Sequence, residues 1–352
     1  MKKRNAFQAA AVIALSALLL AGCGQGAGTA YTDSGYDALE AQDYSAAMEA
    51  FNTALDSGED GLQVWRGIGL ASLGQGNYET AEDAFDQALT LADDRMPETV
   101  QDLLLYKALT RYRQKDYDGT VETCDLLIGE QADVRDAYFY RGAACLMRGD
   151  TDKARANFDY AVSLDPDDYG LYLDIYRIYE SQNQSGIGDT YLQTALGIGP
   201  QSEEDNCRLG EIYYYLEQYD KAQEVLSGPV AANNLTALDL QGKVYLARGD
   251  TDNAKAIYLK IQEVGGENAE SYNGLALCAL AAGDPDTALT YIAQGLALDG
   301  ADGKQALYFN EIVACERKLD FAAALEKAEA FVQMYPADEA GLKEVEFLRT
   351  RV

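Results

Sequence analysis

The sequence predicts an all-α fold: an α-solenoid of about nine stacked helix-turn-helix units closed by a C-terminal capping helix. Three observations predict it. Nearly the same phrase occurs twice, "LMRGDTDKARANF" from Leu146 and "LARGDTDNAKAIY" from Leu246, and the 100 residues between them divide into two spacings of 34 and one of 32. Stretches such as "AEDAFDQALTLA" and "ARANFDYAV" place apolar residues three and four apart, as one face of an α-helix requires, with Gly, Asp and Pro between them. Alternation of period two, the mark of a strand, is scarce. A unit of two short helices cannot bury its own apolar face, so each depends on its neighbours in the stack.

The elements follow in order. Lys2, Lys3 and Arg4 precede an apolar run from Ala9 to Leu20. That run is shorter than the ~20 apolar residues that cross a bilayer, so residues 1–22 read as a secretory signal. The stretch Leu20-Ala21-Gly22-Cys23 resembles a bacterial lipobox. The resemblance implies a diacylglyceryl group on Cys23, cleavage just before it, and an extracytoplasmic protein held to the membrane by its lipid. Residues 23–30, small and polar, read as a lipidated tether.

The solenoid occupies 31–337, with units starting near Gly28, Leu62, Gln101, Arg135, Tyr169, Glu203, Leu235, Ala269 and Gln305, and the capping helix occupies 338–352. The pattern is an aromatic, a small residue four on, a turn, then alanine and an aromatic four apart. It falls on Trp65, Ile68, Gly69, Tyr78, Ala81, Phe85 and Ala88 in the second unit, and on Tyr138, Gly142, Ala154, Phe158, Ala161 and Pro166 in the fourth. On these residues the chain resembles the tetratricopeptide repeat. Departures are local. Thr120 and Cys124 replace the alanine and aromatic of the third unit, Gly188 replaces an alanine of the fifth, and Gly228-Pro229 is expected to break the second helix of the sixth. Insertions at Asp93 to Pro97 and near Gly300 are expected to lengthen two turns between units.

The resemblance implies that the first helices of successive units line a concave groove for extended peptides or partner helices. The matching positions include Arg66, Leu70, Leu105, Leu109, Tyr112, Phe139, Leu173, Arg177, Glu211, Tyr214, Asp239, Lys243, Leu277 and Phe309. Aromatic side chains and arginine are the residue types of binding hot spots, which favours a protein or peptide partner. Each groove leucine can equally well pack between helices. The lysine and asparagine clamp with which some family members hold a C-terminal carboxylate has no match at Arg66 and Leu70 or at Phe139 and Ala143.

Charge and composition narrow the function. The chain carries 28 basic and 58 acidic residues, and removal of Lys2, Lys3 and Arg4 with the signal leaves 25 against 58, a formal charge of −33. Such a surface repels nucleic acid and anionic lipid, and favours a basic or apolar partner. There is no histidine, which removes histidine-based catalytic triads and metal sites, and no motif singles out a carboxylate pair among the 58 acids. The reading is therefore a non-enzymatic scaffold without a cofactor, with a lipoprotein that captures a carbohydrate or a cation as the alternative. Cys124, Cys145, Cys207, Cys278 and Cys315 are widely spaced, with no Cys-x-x-Cys, and read as buried free thiols, a single disulfide being the runner-up.

Twenty-five tyrosines concentrate in clusters such as "EIYYYLEQY" and "YLDIYRIYE", where helical spacing favours packing over stacking on sugars. The tract "GQGNYET" lacks the lysine of a phosphate loop and reads as a turn, with Asn77 as helix cap, and "DPDDYG" reads as a turn between units. In the two opening phrases Gly149 and Gly249 are expected to end a first helix in the left-handed conformation while Asp150 and Asp250 cap the second. The Arg-Gly-Asp is thereby helix punctuation.

Overall fold

A computed structural model describes residues 29–93, 95–130, 133–300, 303–336 and 338–352. The signal, Cys23 and nearly all of the tether lie outside the described residues. The described residues form nineteen α-helices and fall into two compact units, one ending at Gly188 and the other running from Asp189 to Val352.

In the first unit the helices pair as α1 (Ala30–Glu40) with α2 (Tyr44–Asp56), α3 (Gly61–Gly74) with α4 (Tyr78–Leu91), α5 (Pro97–Arg113) with α6 (Tyr117–Glu130), and α7 (Arg135–Met147) with α8 (Thr151–Leu164), followed by α9 (Tyr169–Ser181). The division between units falls within α10 (Ser185–Ala195). The second unit continues with α11 (Glu203–Tyr215) and α12 (Tyr219–Ala231), α13 (Leu235–Ala247) and α14 (Thr251–Gly265), α15 (Ala269–Ala281) and α16 (Pro285–Leu296), then α17 (Lys304–Arg317) and α18 (Phe321–Met334). The last helix, α19 (Glu339–Arg349), packs on α18. Within each unit, first helices also touch the first helices of the next pair, α1 on α3 and α5 on α7, and likewise α11 on α13 and α15 on α17. The nine expected units and the capping helix are therefore nine hairpins and α19.

All nine hairpins turn in the same way. Three residues separate the helices, and the middle one is left-handed, with φ between 56 and 86°, at Gln42, Gly76, Lys115, Gly149, Asn183, Glu217, Gly249, Gly283 and Leu319. The backbone N–H of the third turn residue then donates to the carbonyl five residues earlier, at 2.8–3.0 Å in every turn, closing the first helix in a Schellman arrangement. Gly149 and Gly249 behave as expected, and Asp250 accepts from the Asn253 N–H at 3.2 Å. Asp150 and Asn77 stand at the cap positions without a side-chain cap bond; the Asp150 carboxylate is drawn to Lys153 Nζ instead, at 3.4 Å. The arginine of each phrase reaches back to the preceding hairpin, Arg148 to Asp118 at 2.9 Å and Arg248 to Asp220 at 2.5 Å, and Lys318 does the same to Asp286 at 2.6 Å.

The hairpins interlock through bulky second-helix residues set against glycine on first helices. The Phe51 ring lies where a Cβ on Gly35 or Gly67 would sit, at 2.5 and 2.3 Å, so both α1 and α3 approach it. Tyr258 does the same between Gly242 of α13 and Gly274 of α15. Thr120 and Cys124 are fully buried, so the third hairpin fills its seam with smaller groups, and Tyr176 packs over Gly188.

Two expectations need correction. Gly228-Pro229 does not break α12, which continues to Ala231. Pro229 stands in the final turn, where its missing N–H costs only one helical bond near the end of the ladder. The turn at Asp93–Pro97 is lengthened only to five residues, 92–96, because Pro97 is the first residue of α5, where its fixed φ is already helical, so part of the insertion becomes helix.

Candidate interaction faces of the first helices

In the first unit the face made by the first helices centres on Arg66. Its Nε meets Asp102 Oδ2 at 2.6 Å, its Nη1 donates to the Tyr36 hydroxyl at 3.3 Å, and the guanidinium lies 5.9 Å from the Tyr36 ring centre and 5.5 Å from that of Tyr106. One side chain on α3 thus ties α1 and α5 together. Tyr36 completes the set by donating to the Gln63 carbonyl at 3.0 Å. Burial acts to lower the Arg66 pKa, but the Asp102 bond and the Tyr36 contact outweigh it and raise the value, so the charge is permanent. Burial raises the Tyr36 and Tyr106 hydroxyls, and pushes Tyr112 up to about 12, so these groups stay neutral donors.

The other predicted positions divide by burial. Leu105 and Tyr112 are half-buried on this face, and Arg177, paired with Asp174 at 2.8 Å, keeps about a fifth of its side chain exposed. Leu70, Leu109, Phe139 and Leu173 are buried, at 2–6% exposure, and are unavailable to a partner. They pack between helices because an apolar residue beside the small first-helix residues is covered when the next hairpin stacks. Phe139, for example, sits against Tyr140 and Phe158, with ring centres 5.3 and 5.9 Å away.

In the second unit Lys243 Nζ contacts Asp239 Oδ2 at 2.6 Å. Burial acts to lower the lysine pKa, but Asp239 and Glu211 together raise it. Glu211, Tyr214, Leu277 and Phe309 are half-buried. Asn310 Nδ2 donates to Asn273 Oδ1 at 2.7 Å, joining α15 to α17. Tyr36, Asp102, Tyr106, Asn273 and Asn310 were not among the predicted positions. The available signal was opposite charge and amide pairing at corresponding places on neighbouring first helices.

Tyr169, Tyr172, Tyr176 and Tyr179 are buried and form helix packing, so these rings offer no stacking surface to a sugar. All five described cysteines are free and buried, and burial raises each thiol, Cys124 and Cys278 up to about 12. Among the described residues, no group of three or more Cys, Asp or Glu side chains is arranged to hold a metal ion.

This architecture is that of a helix-turn-helix repeat fold. Residues 32–95, 240–306 and 135–168 match family models of the tetratricopeptide repeat; these are the second, fourth and eighth hairpins and most of the first and seventh. The chain thus carries tetratricopeptide repeats, a fold that serves as a protein–protein interaction scaffold. Among solved structures it is similar to yeast Tom70, with a TM-score of 0.50 and 13% identity over 92% of this chain and 88% of that one. A tetratricopeptide repeat protein of Parabacteroides merdae gives a TM-score of 0.48 and 11% identity over 72% of this chain and 98% of that one. Among curated proteins, BBSome complex member BBS4 of Bos taurus is 34% identical over 116 residues, 32% of this chain. The match spans 22% of that relative's length.

Proposed function

We propose that this protein is a lipid-anchored, extracytoplasmic bacterial scaffold that binds a basic or apolar segment of a partner protein on the face of its first helices. The observation that carries the binding face is the half-buried group Leu105, Tyr106 and Tyr112 on α5, with the fixed charge of Arg66 5.5 Å from the Tyr106 ring centre. Amphipathic rings next to an oriented arginine supply contact area at low entropic cost. The acidic surface favours basic partners and discourages nucleic acid. Anchorage rests on the Leu20-Ala21-Gly22-Cys23 stretch. No helix among the described residues is long and apolar enough to cross a membrane. Two acyl chains on Cys23 would suffice for stable attachment, where one would be marginal.

Crosslinking in native membranes followed by pull-down tests the face. Wild-type protein is expected to recover a partner that Leu105→Asp or Tyr112→Ala loses by about tenfold or more, the scale of a hot spot. Unchanged recovery by both variants would overturn the face. Anchorage has a separate readout: Cys23→Ala is expected to leave an unprocessed or soluble protein, and membrane retention with unchanged mobility would count against the lipid.

A further inference from the structure

A cleft of about 310 Å³ opens where the second hairpin meets the start of the third. Leu62, Leu91 and Met96 give it an apolar lining, and Asp60, Gln63 and Thr99 a polar one. It adjoins the first-helix face: Gln63 and Thr99 stand one turn before Arg66 and Asp102 on α3 and α5, and the Gln63 carbonyl accepts from Tyr36 at 3.0 Å. Small-molecule sites begin near ~300 Å³ and enclose most of their ligand, so a cleft of this size with exposed walls suits one long side chain of a larger partner.

Two of its walls have no role in the stack. Met96 occupies the position before α5 where Ser, Thr, Asp or Asn would cap the helix, yet it makes no side-chain cap bond and is 42% exposed. Leu91, which ends α4, is 51% exposed. Methionine beside leucine makes an adaptable apolar surface.

Asp60 sets the sign of the cleft. Its Oδ1 caps α3 by accepting from the Leu62 N–H at 3.0 Å, and its Oδ2 has no hydrogen bond or ion pair among the described residues. This carboxylate already answers the positive end of the α3 dipole, so a further anion gains little there. Cations of the chain close by in sequence are engaged elsewhere: Arg66 holds Asp102, and the Arg95 side chain, 88% exposed, pairs with Asp93 at 2.6 Å. Residues 29–65 carry eight acidic side chains and no lysine or arginine. The field around the cleft is therefore negative.

We propose that the cleft seats a lysine or arginine side chain of the partner segment, its aliphatic stem against Leu62, Leu91 and Met96 and its charged head at Asp60. The inference rests on the reading of the first-helix face as the binding face. Long basic side chains bury their methylenes on apolar surface while the head stays in water, and this cleft offers both surroundings within one side chain's length.

The full chain with isotope-labelled methionine methyl groups, titrated with Nα-acetyl-arginine amide over the millimolar range and read by NMR, tests the cleft. The Met96 methyl is expected to shift saturably, while that of Met334, 46% exposed in the second unit, stays in place. Nα-acetyl-leucine amide is expected to bind about threefold more weakly, the scale of an exposed ion pair, and Nα-acetyl-glutamate amide to leave Met96 unmoved. Asp60→Asn removes the charge but keeps the cap, since asparagine caps as well as aspartate, and is expected to bring the arginine probe down to the leucine level. Absence of a Met96 shift with the arginine probe, equal binding of the other two probes, or an arginine preference that survives Asp60→Asn would overturn the proposal. The titration involves no partner, so its failure removes the cleft and leaves the binding face standing. In the membrane pull-down, Asp60→Asn is expected to lower recovery about threefold. Full recovery by Asp60→Asn of a partner that Tyr112→Ala loses would refute the cleft and support the face.

Discussion

Tyr258 shows how much of this stack depends on what single residues lack. An added Cβ would come within 2.3 Å of its ring at Gly274 and 2.7 Å at Gly242, and the ring is 2% exposed with no room to swing. Gly274→Ala is therefore expected to cost about 1–3 kcal/mol by overpacking, seen as a lower urea midpoint. Leu319 carries strain of the opposite kind: it is left-handed at φ 62° and 75% exposed, at a turn position that is glycine in four sister hairpins. Leu319→Gly relieves that strain and removes an exposed leucine, while losing some unfolded-state restriction, so a gain of up to about 1 kcal/mol is expected. A lower thermal midpoint for Leu319→Gly would refute the strain argument. The left-handed turns at Gln42, Lys115, Glu217 and Leu319 were not legible in the sequence, because these residue types do not announce that conformation. The equivalent glycines at 149 and 249 were.

Between helices, ties of two grades hold the hairpins in register. The clasps from Arg148, Arg248 and Lys318 to the preceding hairpin are exposed, and such pairs contribute about 0–1 kcal/mol each. Arg66 is different, since its side chain is only 13% exposed and it engages α1, α3 and α5 at once. Arg66→Met is expected to destabilise the first unit by about 1–3 kcal/mol, chiefly by leaving Asp102 half-buried without its partner. Pairing it with Asp102→Asn should return part of that loss; strict additivity in the double variant would exclude the coupling. The sequence placed Arg66 on the right face but did not disclose Asp102 or Tyr36, which lie 36 and 30 residues away. Contacts at that separation depend on the stacking phase of whole hairpins, here shifted by the Asp93–Pro97 insertion.

At the scale of the molecule, self-repulsion is the dominant electrostatic fact. A formal net charge of −30 exceeds what weak surface pairs offset, and its unfavourable part is long-range and readily screened. Raising NaCl from ~10 mM to ~0.5 M shortens the screening length from about 30 Å to about 4 Å, and is expected to raise the thermal midpoint. A fall would mean that the exposed ion pairs together contribute more than the net charge costs. Loss of stability need not be all-or-none, because each hairpin contacts only its neighbours.

By itself the sequence determined the repeat period, the number of hairpins, the start of most first helices to within a residue or two and the capping helix, because helix spacing, turn residues and caps act over a few residues. The two Arg-Gly-Asp phrases were legible as turns for the same reason. Only the tertiary structure decided which first-helix residues are covered, burying Leu70, Leu109, Phe139 and Leu173 while leaving Leu105 and Tyr112 half-buried. It alone brought Arg66 to Asp102 and Asn310 to Asn273. Exposure and charge pairing are properties of the neighbouring hairpin as much as of the residue, and the pattern within one repeat does not contain them.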